Sequence, residues 1–197
     1  TSERQFRNPL EHGNQRPPAA QWTATASGSV VIGRTNKPNI VLTCATLGKV
    51  VDPGITDAHQ MGAAMAPAAA DTILQHLEDT GRDPDYYDLI LTGDLGEVGM
   101  QLNAALLEQY GVTLGSRYQD CGAMIYGGNP AHGAGGSGCA CAAVTVAGYV
   151  LKEMEKGKLN RVLVVATGAL HSPLTWQQGE SIPGIAHAIV LERQGYS

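Results

Sequence analysis

Between residues 40 and 193 the spacing of apolar positions keeps changing period, and each change marks an element. Four runs rich in Val, Ile and Leu predict strands: "IVLTCATLGKVV" (40–51), "YDLILTGDLG" (87–96), "NRVLVVATGAL" (160–170) and "AHAIVLER" (186–193). Two shorter runs predict a short buried strand at "SGSVVIG" (27–33) and a weaker one at "CGAMIY" (121–126). Helical spacing fills the gaps. "GAAMAPAAADTILQHLEDTG" (62–81) carries apolar positions at Ile73, Leu74 and Leu77 and closes on Gly81. Pro67 falls in its first turns or marks where the helix begins. "VGMQLNAALLEQYG" (98–111) predicts an amphipathic helix closed by Gly111, and a third helix runs from the glycine-rich stretch at 131–149 to about Lys156. Residues 1–27, rich in Pro, Gln and Thr, predict an irregular surface segment. The order β-β-α-β-α-β-α-β-β implies an α/β fold with a largely parallel sheet.

Composition narrows the classes. The 197 residues are enough for one domain, or two small lobes, with a real core; 43% are hydrophobic and 16% charged, as in a globular chain. A formal charge of −5 leaves no basic footprint and argues against nucleic acid as a partner. Every apolar run is broken by Gly, Pro or charge before it reaches membrane-spanning length. The 4 cysteines do not form a disulfide scaffold, and Cys139-Ala140-Cys141 lacks the CxxC spacing of redox and zinc sites, which suggests a reducing compartment. The opening "TSERQFRNP" has no signal-peptide pattern and reads like the middle of a longer protein.

The stretch "AHGAGGSGCACAAVTVAGY" (131–149) invites three readings. A phosphate-cradling P-loop fails, because no Lys or Arg lies between Arg117 and Lys152. A dinucleotide fingerprint fits poorly: the glycines lie in the third β/α turn, and the acidic residues that follow are only Glu153 and Glu155. Close packing fits best. Cys139 to Gly148 carries only Cys, Ala, Val, Thr and Gly on every face, which predicts a helix with almost no solvent exposure.

"NPAHGAGGSGCACAA" resembles the start of the third helix in the C-terminal half of thiolase-like proteins, whose halves each run β-α-β-α-β-α-β-β. "LTGDLG", "QDCGAMIY", "LNRVLVVATGAL" and "QQGESIPGIAHAIVLER" resemble one branch of that superfamily, the stage V sporulation protein AD family. The resemblance extends over essentially the whole chain. It implies an α/β, thiolase-like C-terminal half with a mixed, mostly parallel sheet at residues 38–197. Residues 1–37 would then be the end of an N-terminal half, a loop and its last strand. The cysteine nucleophile of thiolase-like enzymes belongs to that N-terminal half and has no counterpart in this chain.

The resemblance also nominates site residues. Asp94 stands where condensing members carry His or Asn; a carboxylate there repels a developing oxyanion, and the alternative is a turn-capping Asp. His132, with Asn129, lies near the second catalytic His or Asn of the family, or is an ordinary loop residue. Gly135, Gly136, Ser137, Gly138 and Cys139 form the mouth of the third helix, where Ser137 could cap and the amides of Gly138 and Cys139 face an anion. Cys139 and Cys141 read as small packed hydrophobes rather than reactive thiols, and Cys44 and Cys121 as structural residues. Arg4, with Arg7, is suited to a carboxylate ligand near the pocket mouth; the alternative is an exposed, idle Arg. No catalytic residue, metal ligand or cofactor is assigned. The implied function is binding of dipicolinic acid (pyridine-2,6-dicarboxylic acid), free or as its calcium chelate, during uptake into the developing spore. The implied setting is a homodimer at the inner spore membrane, working with membrane proteins of the same operon. An acyltransferase acting on a thioester, or a dimerisation scaffold, are the alternatives.

Overall fold

The computed structural model describes residues 18–36, 38–126 and 132–195. Its centre is a five-stranded sheet of β2 (Ile40–Thr46), β3 (Leu89–Thr92), β4 (Tyr118–Asp120), β6 (Arg161–Ala169) and β7 (Gly184–Arg193), in the order β2-β7-β6-β3-β4. β3 is parallel to β4 and β6, while β7 runs antiparallel to both its neighbours, β6 and β2. Four strands therefore point one way and β7 the other. A second, small sheet pairs β1 (Trp22–Thr23) in parallel with β5 (Gly136–Ser137).

The helices cover both faces. α1 (Met61–Thr80) and α2 (Gly96–Gln109) pack on one side. A helical run on the other side comprises α4 (Ala140–Thr145), a π-helical stretch (Val146–Val150) and α5 (Leu151–Glu155). Two short α-helices, α3 (Cys121–Tyr126) and α6 (Pro173–Gln177), and three single 3-10 turns lie between these elements. The central strands bury both faces: in β3, Ile90 joins the α1/α2 core while Leu89 and Leu91 join the opposite one. Strands enclosed this way read as continuous apolar runs, which is why they were legible. α1 and α2 touch at glycines: a Cβ on Gly62 would stand 2.1 Å from the Leu95 carbonyl oxygen. Pro67 lies inside α1 rather than at its start.

From residue 40 on, the element order is the one expected of a thiolase-like half, with local corrections. The segment 27–33 joins no strand and is largely exposed, with Val31 fully so. A strand needs a neighbour for its N–H and C=O groups, and no described strand offers one; the segment instead passes α4, where Gly28 abuts the Ala143 carbonyl. "CGAMIY" is α3, not a strand; the strand is the preceding β4, because Asp120 caps the helix by accepting the Ala123 amide at 3.1 Å. The third helix does not begin in the glycines, since Gly136 and Ser137 are strand. Nor is it enclosed on all sides. Cys141, Thr145 and Val150 are buried, whereas Cys139, Gly148 and Tyr149 are exposed, so one face looks outward in this chain. No helix among the described residues is long and apolar enough to cross a membrane.

Candidate functional site

The carboxyl ends of β3, β4 and β6 lie side by side, and the turn after β3 carries Asp94. This position is where α/β sheets collect ligands. Asp94 is nearly buried, at 8% exposure. The Thr167 hydroxyl, from β6, donates to its Oδ1 at 2.7 Å and accepts the Asp94 amide at 2.9 Å. Its Oδ2 accepts the Gly138 amide at 2.8 Å and, more weakly, the Ser137 hydroxyl at 3.4 Å. The carboxylate thus sits at the mouth of the α4 run as an internal anion, where a helix start favours negative charge.

The walls are held by backbone contacts that only glycine permits. A Cβ on Gly122 would stand 2.2 Å from the Gly136 carbonyl oxygen, so α3 and the glycine-rich loop lie backbone on backbone. Gly138 has φ +100°, open to glycine and to few other residues. Packing therefore explains the glycines. A strap formed by residues 20–24 closes over the loop. The Trp22 amide donates to Gly135 at 2.8 Å and the Ala24 amide to Ser137 at 2.9 Å. Gln21 Nε2 donates to the backbone carbonyls of Asp94 (2.8 Å) and Gly136 (2.7 Å), joining both walls.

A second carboxylate, Asp120, lies beneath. It is fully enclosed and accepts the Thr92 hydroxyl at 2.8 Å and the amides of Leu95 and Gly96, both at 2.9 Å. Burial pushes its carboxyl above the ordinary range, against the pull of these donors. Burial likewise pushes the Cys121 thiol up.

The structure brings Asp94, Gly136, Ser137 and Gly138 together, with Gly135 one residue along the same buried loop. His132 stands apart, stacked on Tyr126 at 4.5 Å between ring centroids and edge-on to Trp22 at 5.6 Å. Its Nδ1 is buried without a hydrogen-bond partner. Cys139 is exposed just before α4, not packed inside a helix, whereas Cys141 is buried. Arg4, Arg7 and Asn129 lie outside the described residues. Sequence reasoning missed Gln21, Thr167 and Asp120. Only Asp120 carried a local signal, an Asp directly ahead of a helix. No cluster of three or more metal-ligating side chains occurs among the described residues.

Comparison with known proteins assigns the family. A family model for stage V sporulation protein AD matches residues 1–192. The chain is 54% identical over 195 residues to the stage V sporulation protein AD of Bacillus subtilis (strain 168), a match that covers 99% of this chain and 57% of the relative. The chain thus spans little more than half the length of that relative. Solved structures similar to it include the Acat5 thiolase from Ascaris suum, at 14% identity and a TM-score of 0.42 over 80% of this chain and 31% of that one. Another is 3-oxoacyl-[acyl-carrier-protein] synthase III from Aquifex aeolicus VF5, at 17% identity and a TM-score of 0.40 over 80% and 54% of the two chains. With its motifs matched along almost its full length, the chain belongs to the stage V sporulation protein AD (SpoVAD) family.

Proposed function

We propose that this chain is part of a sporulation protein that binds dipicolinic acid and takes part in its uptake into the developing spore. In this reading the protein acts as a homodimer at the inner spore membrane, together with membrane proteins of the same operon. The observation that carries it is the engagement of Asp94. The Gly138 amide, the donor a thioester oxyanion would need at this helix mouth, already serves a carboxylate 2.8 Å away. Negative charge there opposes an enolate or a tetrahedral oxyanion, so the geometry favours holding a ligand over condensing one.

The same charge selects the form of the ligand. Bare dipicolinate is a dianion and is repelled by Asp94. Its calcium chelate is neutral, and calcium accepts six to eight oxygen ligands, so a chelated ion keeps positions that a carboxylate can fill. The chelate is therefore the form that suits a site built around Asp94, with the ion arriving as cargo.

Calorimetry on the full-length protein tests this reading, using dipicolinate alone, dipicolinate with calcium, and an acyl-CoA. The expected result is binding that strengthens with calcium, and no turnover of the thioester. Turnover of an acyl-CoA that is lost on replacing Asp94 or His132 would reverse it in favour of an acyltransferase.

A further inference from the structure

Asp120 joins the end of β4 to the turn after β3 and to the first turn of α3. It ends β4, and its carboxylate is fully enclosed. Oδ2 accepts the Thr92 hydroxyl from β3 at 2.8 Å and the Leu95 amide at 2.9 Å. Oδ1 accepts the Gly96 amide at 2.9 Å and the Ala123 amide of α3 at 3.1 Å. These four donors are one hydroxyl and three amides, none of them a cation. Burying a carboxylate on neutral donors is costly, and capping one helix would need only one or two of these bonds.

The partners show what the arrangement controls. Leu95 and Gly96 directly follow Asp94, so the bonds to their amides fix the turn that aims the Asp94 side chain. Ala123 belongs to α3, the floor under the glycine-rich loop, where the Gly122 and Gly136 backbones meet with no room for a Cβ. Asp120 therefore holds the Asp94 turn to the floor of the loop that carries Gly138, while Gln21 joins the same two walls through their carbonyls.

We propose that Asp120 is a positioning residue of the candidate site. Acting through the Leu95 and Gly96 amides and through α3, it holds the Asp94 carboxylate on the Gly138 amide without touching the ligand. Its bearing on ligand binding rests on the proposed function, but the geometry can be tested without any ligand.

The measurement is residue-resolved amide hydrogen exchange on the full-length protein, comparing wild type with Asp120→Asn, Asp94→Ala and the double variant. Asn keeps the shape of Asp but turns one acceptor oxygen into a donor. Gly138 makes no described contact with Asp120, so a merely local cap would leave it unmoved. Positioning predicts that Asp120→Asn speeds exchange at Gly138 by about tenfold or more, the scale of losing one charge-assisted hydrogen bond, while β6 and β7 stay protected. It also predicts that the double variant exchanges no faster at Gly138 than Asp94→Ala alone, because both changes break the same contact. Thr92→Val, which removes one of the four donors, should move Gly138 in the same direction by less, and it decides the matter if Asp120→Asn does not fold. Unchanged exchange at Gly138 alongside faster exchange at Leu95, Gly96 and Ala123 would overturn the proposal. So would an additive double variant. A wild-type protein that ignored dipicolinate would defeat the binding reading alone and leave this readout valid.

Discussion

Asp94 converts a helix mouth that would otherwise attract an anion into one satisfied from within. Replacing it with Ala frees the Gly138 amide and removes a negative charge. The Asp94→Ala protein should therefore bind bare dipicolinate more tightly and calcium dipicolinate less tightly. Each change should be about 1–3 kcal/mol, the range for a broken buried polar contact. Titrations with and without a calcium chelator read the two signs directly, and equal shifts in both would mean that Asp94 does not face the ligand. Gly122 shows the other residue-scale constraint. Gly122→Ala would drive a Cβ to within 2.2 Å of the Gly136 oxygen, and backbone cannot yield as a flexible side chain can. A loss of about 1–3 kcal/mol, the usual cost of overpacking, should appear as a lower urea midpoint.

At the scale of elements, one histidine ties α1 to the sheet. His76 of α1 is fully enclosed, with Nδ1 2.8 Å from the Thr46 hydroxyl of β2 and Nε2 2.6 Å from the Tyr87 hydroxyl that precedes β3. Arg82 reaches the same Tyr87 oxygen at 3.5 Å. These bonds form one chain if Arg82 donates to Tyr87, Tyr87 to Nε2, and Nδ1–H to Thr46. Protonating Nε2 would strip the Tyr87 hydroxyl of its acceptor and bring a second cation near Arg82. Burial and then Arg82 hold His76 below the ordinary imidazole range, with Asp79 opposing weakly. A lowered folded-state value means the neutral ring contributes stability above the unfolded value of about 6.5. That contribution is lost as pH falls from there towards the folded-state value, at up to about 1.4 kcal/mol per pH unit. Chemical denaturation from pH 7.5 to 5 should therefore show a steeper decline for wild type than for His76→Gln. Matching slopes would exclude the clamp as the source.

At the scale of the molecule, several large apolar side chains face outward. Val30, Val31 and Ile32 are exposed in a row, and so are Leu47, Leu170, Leu174 and Trp176. Tyr149, in the π-helical stretch after α4, is exposed as well. A run such as Val30–Ile32 is the kind of exposed apolar surface that another protein segment covers. The 197-residue chain expressed by itself should bind ANS strongly and self-associate in sedimentation. A monodisperse, ANS-silent monomer would mean that these segments need no cover.

The elements with the strongest periodicity were legible because their own residues decide them. β3 and β6 are buried on both faces and read as unbroken apolar runs, and α1 ends where Gly81 adopts φ +61°. The family was legible for a related reason: its motifs are local strings around turns, and turn chemistry is written in adjacent residues. Asp94 and the Gly135–Gly138 loop could be named the same way. The strand expected at 27–33 did not form, because a strand depends on a partner that the segment itself cannot supply. "CGAMIY" became a helix because Asp120 accepts its Ala123 amide and the β-favouring residues there are too few to outweigh a cap. The contacts of Asp94 were decided only in three dimensions. Its partners Thr167 and Gly138 lie 73 and 44 residues away, and Gln21 reaches its carbonyl from 73 residues on the other side. Hydrogen bonds of that separation leave no periodic trace along a chain, so only the folded sheet, which lays the ends of β3, β4 and β6 side by side, could bring them together.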